Sequence, residues 1–86
     1  MSIKLKHTFG SDTKSGVVIK ECKDLAQALL RLKIEKENFL EEMASSTDVW
    51  DYKIEDIPNG LKIFEQGAVG GKIPYIYKET IEIIDN

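Results

Sequence analysis

The 86-residue chain, 42% hydrophobic and 31% charged, makes one domain (1–86) with a single modest core and leaves no room for a substrate domain beside a scaffold. One cysteine, Cys22, excludes an internal disulfide; the opening Met-Ser-Ile-Lys-Leu-Lys lacks a signal-peptide pattern, and no apolar run approaches the roughly 20 residues of a membrane span, so the expectation is a cytoplasmic protein without a membrane segment. The net charge of −3 divides into +3 over residues 1–40 and −6 over residues 41–86, and five of the seven aromatics (Trp50, Tyr52, Phe64, Tyr75, Tyr77) lie in the acidic part, which argues against a nucleic-acid surface, where basic and aromatic residues interleave.

Ile3 to Phe9 alternates Ile3, Leu5, His7 and Phe9 against Lys4, Lys6 and Thr8, the period of a half-buried strand. The polar stretch Gly10–Gly16 reads as a loop and Val17–Glu21 as a second strand, so the pair forms an antiparallel hairpin. Lys4, Lys6, Lys14, Lys20 and Lys23 read as residues that keep an edge strand soluble and unpaired.

Asp24 with Gln27 is a capping box, and Leu25, Ala28, Leu29 and Leu32 then share one helical face. Ala26, Leu30 and Ile34 form a second apolar stripe, which either enters the same core, the favoured reading for a small α+β domain, or meets another chain as an oligomer interface. The helix runs to Ser45. Asn38 with Glu41 repeats the capping signature and predicts a break or kink near residues 34–38.

Val49–Ile57 alternates Trp50, Tyr52 and Ile54 against Asp51, Lys53 and Glu55, a third strand whose aromatic face is expected on Leu25, Leu29 and Leu32. Pro58-Asn59-Gly60 is a turn in which Asn and Gly suit the left-handed region, and Leu61–Glu65 returns as strand four. Gly67–Lys72 reads as a flexible connection. Ile73–Ile84 is a long last strand whose start, because Pro74 cannot donate to a ladder, lies at a sheet edge or outside pairing, with a bend or bulge at Lys78–Thr80. The order is ββαβββ: an α+β fold with one helix on a mainly antiparallel sheet of four or five strands.

No motif fixes a reaction. Gly67–Lys72 fails as a P-loop because Gln66 stands where the first Gly should be, Ile73 replaces the magnesium-binding hydroxyl residue and a strand follows. His7 and Cys22 are the only imidazole and thiol. Hairpin pairing sets them about four residues apart along the sheet, roughly 13 Å, too far for a nucleophilic pair and too few for a metal cluster. Cys22 reads as a small buried residue at the strand–helix junction and His7 as a partly buried strand residue. Carboxylate pairs such as Glu55 with Glu65, or Glu79 with Glu82, read as solvated strand faces. The expectation is therefore a non-enzymatic protein with no cofactor and no metal, acting stoichiometrically on a protein with a basic surface, in the manner of an immunity protein, an antitoxin or a phage-encoded inhibitor. Its expected contact residues are Trp50, Asp51, Tyr52, Glu55, Asp56, Tyr75, Tyr77 and Glu79. Two alternatives are a structural subunit of a homo-oligomer or phage-type assembly joined through Ala26, Leu30 and Ile34, and a protein that sequesters a small ligand at a subunit interface.

Overall fold

The computed structural model describes residues 3–11 and 14–85. The elements follow the expected order: β1 (Ile3–Ser11), β2 (Ser15–Cys22), α1 (Leu25–Ser45), β3 (Val49–Ile57), β4 (Gly60–Val69) and β5 (Ile73–Asp85). The strands form one antiparallel sheet in the order β2-β1-β5-β4-β3, so the first and last strands meet inside it. Residues 12 and 13, in the middle of the expected Gly10–Gly16 loop, lie outside the described residues, and the flanking strands reach further into that loop than the sequence indicated.

At the start of α1, Asp24 Oδ1 accepts the Gln27 amide at 2.8 Å, and Gln27 Oε1 accepts the Lys23 amide at 2.6 Å, so the capping box forms as read. The expected break is absent. α1 is continuous over 21 residues, about 31 Å at the α-helical rise. Arg31 with Glu35 and Lys33 with Glu37 are spaced one turn apart as a continuous helix allows, while Asn38 with Glu41 carries the sequence of a cap without its geometry.

The core comprises Leu5, Cys22, Leu61, Ile63 and Ile81 from the sheet and Ala28, Leu32, Phe39 and Met43 from α1, with Cys22 buried at the strand–helix junction as read. The helix thus buries a stripe shifted from the expected one. Leu25 and Leu29 are exposed, and so are Ala26, Leu30 and Ile34, the last two at 56% and 45%; the intramolecular reading of the second stripe does not hold. A single helix on a sheet has one buried side, and Phe39 and Met43 fix which side that is.

The loops also differ from expectation. No non-glycine residue among those described has positive φ, so Pro58-Asn59 turns without the left-handed conformation, and Gly60 already belongs to β4. Gly67, Ala68 and Val69 are strand rather than flexible loop, and the glycines with positive φ are Gly70 and Gly71 at the turn. β5 pairs with β1 and β4 in unbroken register, so the bulge expected near Lys78–Thr80 is absent, and the register shift falls instead in β3 between Val49 and Asp51. At its start β5 runs beyond the last β1 partner, Tyr77, which leaves Pro74 paired on one side only, with Ala68.

α1 leaves β2 at the level where Cys22 pairs with Ile3, and it delivers the chain to β3 where Val49 pairs with Gly67. These points are at opposite edges and opposite ends of the sheet, so the helix crosses it diagonally and leaves two corners of the same face uncovered. One corner is apolar, a cleft of about 300 Å³ between Leu29 and Leu32 of α1 and Pro58, Leu61 and Ile83 of the sheet. The other is polar.

Candidate functional site

The polar corner is a cleft of about 500 Å³ between the middle of α1 and strands β4 and β5, continuing toward β1 and β2 in a second lobe of about 410 Å³. Register places its floor. His7, Phe9 and Ser11 of β1 lie beside Ile81, Glu79 and Tyr77 of β5, and Glu79, Tyr77 and Tyr75 lie beside Ile63, Glu65 and Gly67 of β4. From above, Glu35, Asn38 and Glu42 enter from one flank of α1, three and four residues apart. Four carboxylates, Glu35, Glu42, Glu65 and Glu79, therefore line the larger lobe with no lysine or arginine among its lining residues, while Lys20 stands at the rim of the smaller one.

Glu79 organises the floor. Its Oε2 accepts from His7 Nδ1 at 3.0 Å and its Oε1 accepts the Tyr77 hydroxyl at 2.8 Å. A carboxylate only accepts, so the proton of a neutral His7 sits on Nδ1. His7 is 6% exposed, and its Nε2 finds no partner among the described residues. Beside this network the Tyr75 hydroxyl donates to Glu65. That hydrogen bond first, then burial and the negative charges of Glu65 and Asp48, push the Tyr75 hydroxyl up to about 12. Tyr77 is raised further, by burial first and then by its bond to Glu79 and the charges of Glu79, Glu65 and Glu35. Both phenols remain neutral hydrogen-bond donors at ordinary pH, and the cleft carries unbalanced negative charge.

The expected contact residues divide between two faces. Tyr75, Tyr77 and Glu79 line the cleft, and Tyr52 approaches its far end, edge-on to Phe39 with ring centroids 6.0 Å apart. Asp56 also faces the helix but at the opposite corner, held 3.3 Å from Lys36. Asp51 and Glu55 point to the uncovered face, where Glu55 pairs with Lys53 at 2.7 Å, an exposed contact that lowers the carboxyl and raises the amine. Trp50 sits at the β3 bulge, 61% exposed. It has no register partner in β4, so the strict alternation expected of Trp50, Tyr52 and Ile54 is interrupted there.

Glu55 and Glu65 lie on opposite faces, as do Glu79 and Glu82, so neither of those carboxylate pairs assembles. Cys22 pairs with Ile3 and His7 with Val18, the separation read from the hairpin. Among the described residues, no group of three or more His, Cys, Asp or Glu side chains is placed to hold a metal ion. No helix there is long and apolar enough to cross a membrane. Sequence reading missed His7 as a member of the site. It also missed Glu35, Asn38 and Glu42, although their spacing marks a polar flank beside the buried stripe.

Comparison with known protein families, curated proteins and solved structures finds no match to this chain.

Proposed function

We propose that this small α+β protein acts stoichiometrically, by binding a protein partner that presents a basic side chain to the carboxylate–tyrosine cleft. The carrying observation is the lining of that cleft: Glu35, Glu42, Glu65 and Glu79 around Tyr75 and Tyr77, with no cationic side chain in the larger lobe. An arginine or lysine entering it meets carboxylate acceptors and the aromatic walls of Phe39 and Tyr77, which favour a cation over a neutral group. The surrounding negative charge speeds encounter with a basic surface. Immunity proteins, antitoxins and phage-encoded inhibitors of basic factors are the kind of stoichiometric binder this reading describes.

The experiment uses a short arginine-containing peptide as probe. Association is measured for the natural chain, for the cleft variant Glu35→Gln with Glu42→Gln, and for the open-face variant Asp51→Asn with Glu55→Gln. Slower association and weaker salt dependence in the cleft variant alone support the reading. Equal binding by all three, or loss only in the open-face variant, overturns it.

A second reading, self-association, is favoured by a separate observation: Leu30 and Ile34 stand exposed on α1 with no intramolecular cover.

A further inference from the structure

The two outer strands of the sheet are built differently. β3 carries a bulge between Val49 and Asp51 and then charges at Asp51, Lys53, Glu55 and Asp56, devices that discourage pairing with another strand. β2 carries neither along Ser15–Ile19, a stretch without charge, proline or bulge, in which Val17, Val18 and Ile19 are 55%, 42% and 53% exposed. Of the lysines read from the sequence as guards of an edge, Lys4 and Lys6 sit on β1, which has neighbours on both sides, Lys14 and Lys23 flank β2, and Lys20 lies on it just past the uncharged stretch.

Hydrogen-bond direction shows which groups of β2 are free to pair. The Ser11 amide donates to the Lys14 carbonyl, so these two residues form a hydrogen-bonded pair, and in an antiparallel ladder such pairs alternate. Gly16, Val18 and Lys20 therefore bond to β1, while the N–H and C=O groups of Val17, Ile19 and Glu21 point away from it. The Glu21 carbonyl confirms the direction: it accepts from the Arg31 guanidinium at 3.0 Å. That contact also brings one flank of α1 over β2. Ile34 lies three residues beyond Arg31, about 60° further round α1 from the buried stripe, and next in the chain to Glu35, which lines the same lobe as Val18 and Lys20. Leu30 lies beside Ile34.

We infer that the outer edge of β2 pairs with β2 of a second copy of this chain, antiparallel and about a two-fold axis at Val18. In that register Val17 faces Ile19 of the second copy, and the outward groups of both form hydrogen-bonded pairs in each direction. Every direct neighbour keeps its face of the sheet, as the two-residue period demands. Lys20 falls opposite Gly16 and Glu21 opposite Ser15, so no like charges meet directly. The same axis places both helices on one side of the continuous ten-stranded sheet, with Leu30 and Ile34 on their outer surfaces. A second copy fits better than an unrelated strand because a single uncharged run is self-complementary in register and charge. This interface borders the smaller lobe of the cleft at Val18 and Lys20 and shares no residue with the larger, carboxylate-lined lobe.

The test is solution mass by light scattering across a dilution series, with Val17→Pro as the variant. Proline at residue 17 removes an outward N–H and leaves the inward ladder of β2 intact. The natural chain is expected to be a dimer, and Val17→Pro, with unchanged circular dichroism, to weaken it at least about tenfold through two lost hydrogen bonds per dimer. Amide exchange in the natural chain is a second readout that needs no variant: Val17 and Ile19 become protected as the dimer fills. A mass that stays monomeric up to ~1 mM, a dimer undiminished in folded Val17→Pro, or exchange at Val17 and Ile19 that ignores dimerisation would each overturn the inference. If Val17→Pro does not fold, the exchange result decides.

Discussion

His7 Nδ1 lies 3.0 Å from Glu79 Oε2, and this contact fixes the orientation of an imidazole that is 6% exposed and has no other partner among the described residues. Replacing the carboxylate leaves a buried donor unsatisfied and frees the Tyr77 hydroxyl as well. Glu79→Ala is therefore expected to destabilise the fold by about 1–3 kcal/mol, the cost of stranding a buried polar group. Glu82→Ala, on the uncovered face of the same strand, is expected to change stability by only about 0.5 kcal/mol or less. Urea unfolding of the two variants measures the difference, and equal losses would show that the His7–Glu79 contact does not stabilise the fold.

Tyrosine ionisation gives a pH prediction with a definite sign. The folded chain holds Tyr75 at about 12, above its ordinary value near 10, so between those values the native state binds more protons than the unfolded chain. The stabilisation is full below pH ~10 and is lost as pH rises through about 12. Tyr77 moves the same way. Ultraviolet titration of the folded protein should show Tyr75 ionising late, and Glu65→Gln should bring that transition down toward the ordinary tyrosine range, because the hydrogen bond and the charge of Glu65 both disappear. An unchanged transition would mean that the Tyr75–Glu65 bond is not formed in solution.

The helix predicts two leucine truncations of unequal cost. Leu32 is 9% exposed against the sheet, and Leu30 is 56% exposed on the outer flank. Leu32→Ala is expected to cost about 2–5 kcal/mol through lost burial and the cavity it leaves. Leu30→Ala should stay within about 0.5 kcal/mol in the dilute monomer, and its effect should grow with protein concentration if Leu30 is covered by a second copy. Chemical denaturation at two concentrations separates these contributions.

Local signals were the legible ones. The Asp24–Gln27 cap, the Ile3–Phe9 alternation and the hairpin turn at Pro58-Asn59-Gly60 are each decided by neighbours within a few residues; the first two formed as read, and the third joins β3 to β4 there with Gly60 already in the strand. What escaped depends on distant pairing. Nothing near Tyr77 in the chain announces that β5 lies between β1 and β4, yet that arrangement puts Glu79 beside His7, 72 residues away. Charge and aromatic content group Tyr75, Tyr77 and Glu79 with Asp51 and Glu55, but only the first three line the cleft, because composition does not reveal which face a residue takes. The diagonal path of α1, set by its anchoring at opposite edges, decides which corner stays open and so which helical residues border the cleft. Leu25 and Leu29 were misread as core for the same reason: an apolar helical face shows that something is covered, and the crossing angle decides what.

Two glycines separate steric need from conformational need. At Gly60 an added Cβ would stand 1.8 Å from the Ile81 carbonyl oxygen and 2.8 Å from its carbon, both backbone atoms of the central strand β5. β4 would have to move off β5 where Leu61 and Ile81 meet in the core, so Gly60→Ala is expected to cost about 3 kcal/mol or more, the upper range for overpacking. At Gly70 the added Cβ meets no atom within 4 Å, but φ is +60°, a conformation that costs an ordinary residue roughly 1–2 kcal/mol. Thermal unfolding should therefore rank Gly60→Ala below Gly70→Ala, with Gly70→Ala lowering Tm by about 4–8 °C per kcal/mol in a domain of this size. The reverse order would mean that β4 and β5 are less closely apposed at Gly60 than their backbone contact requires.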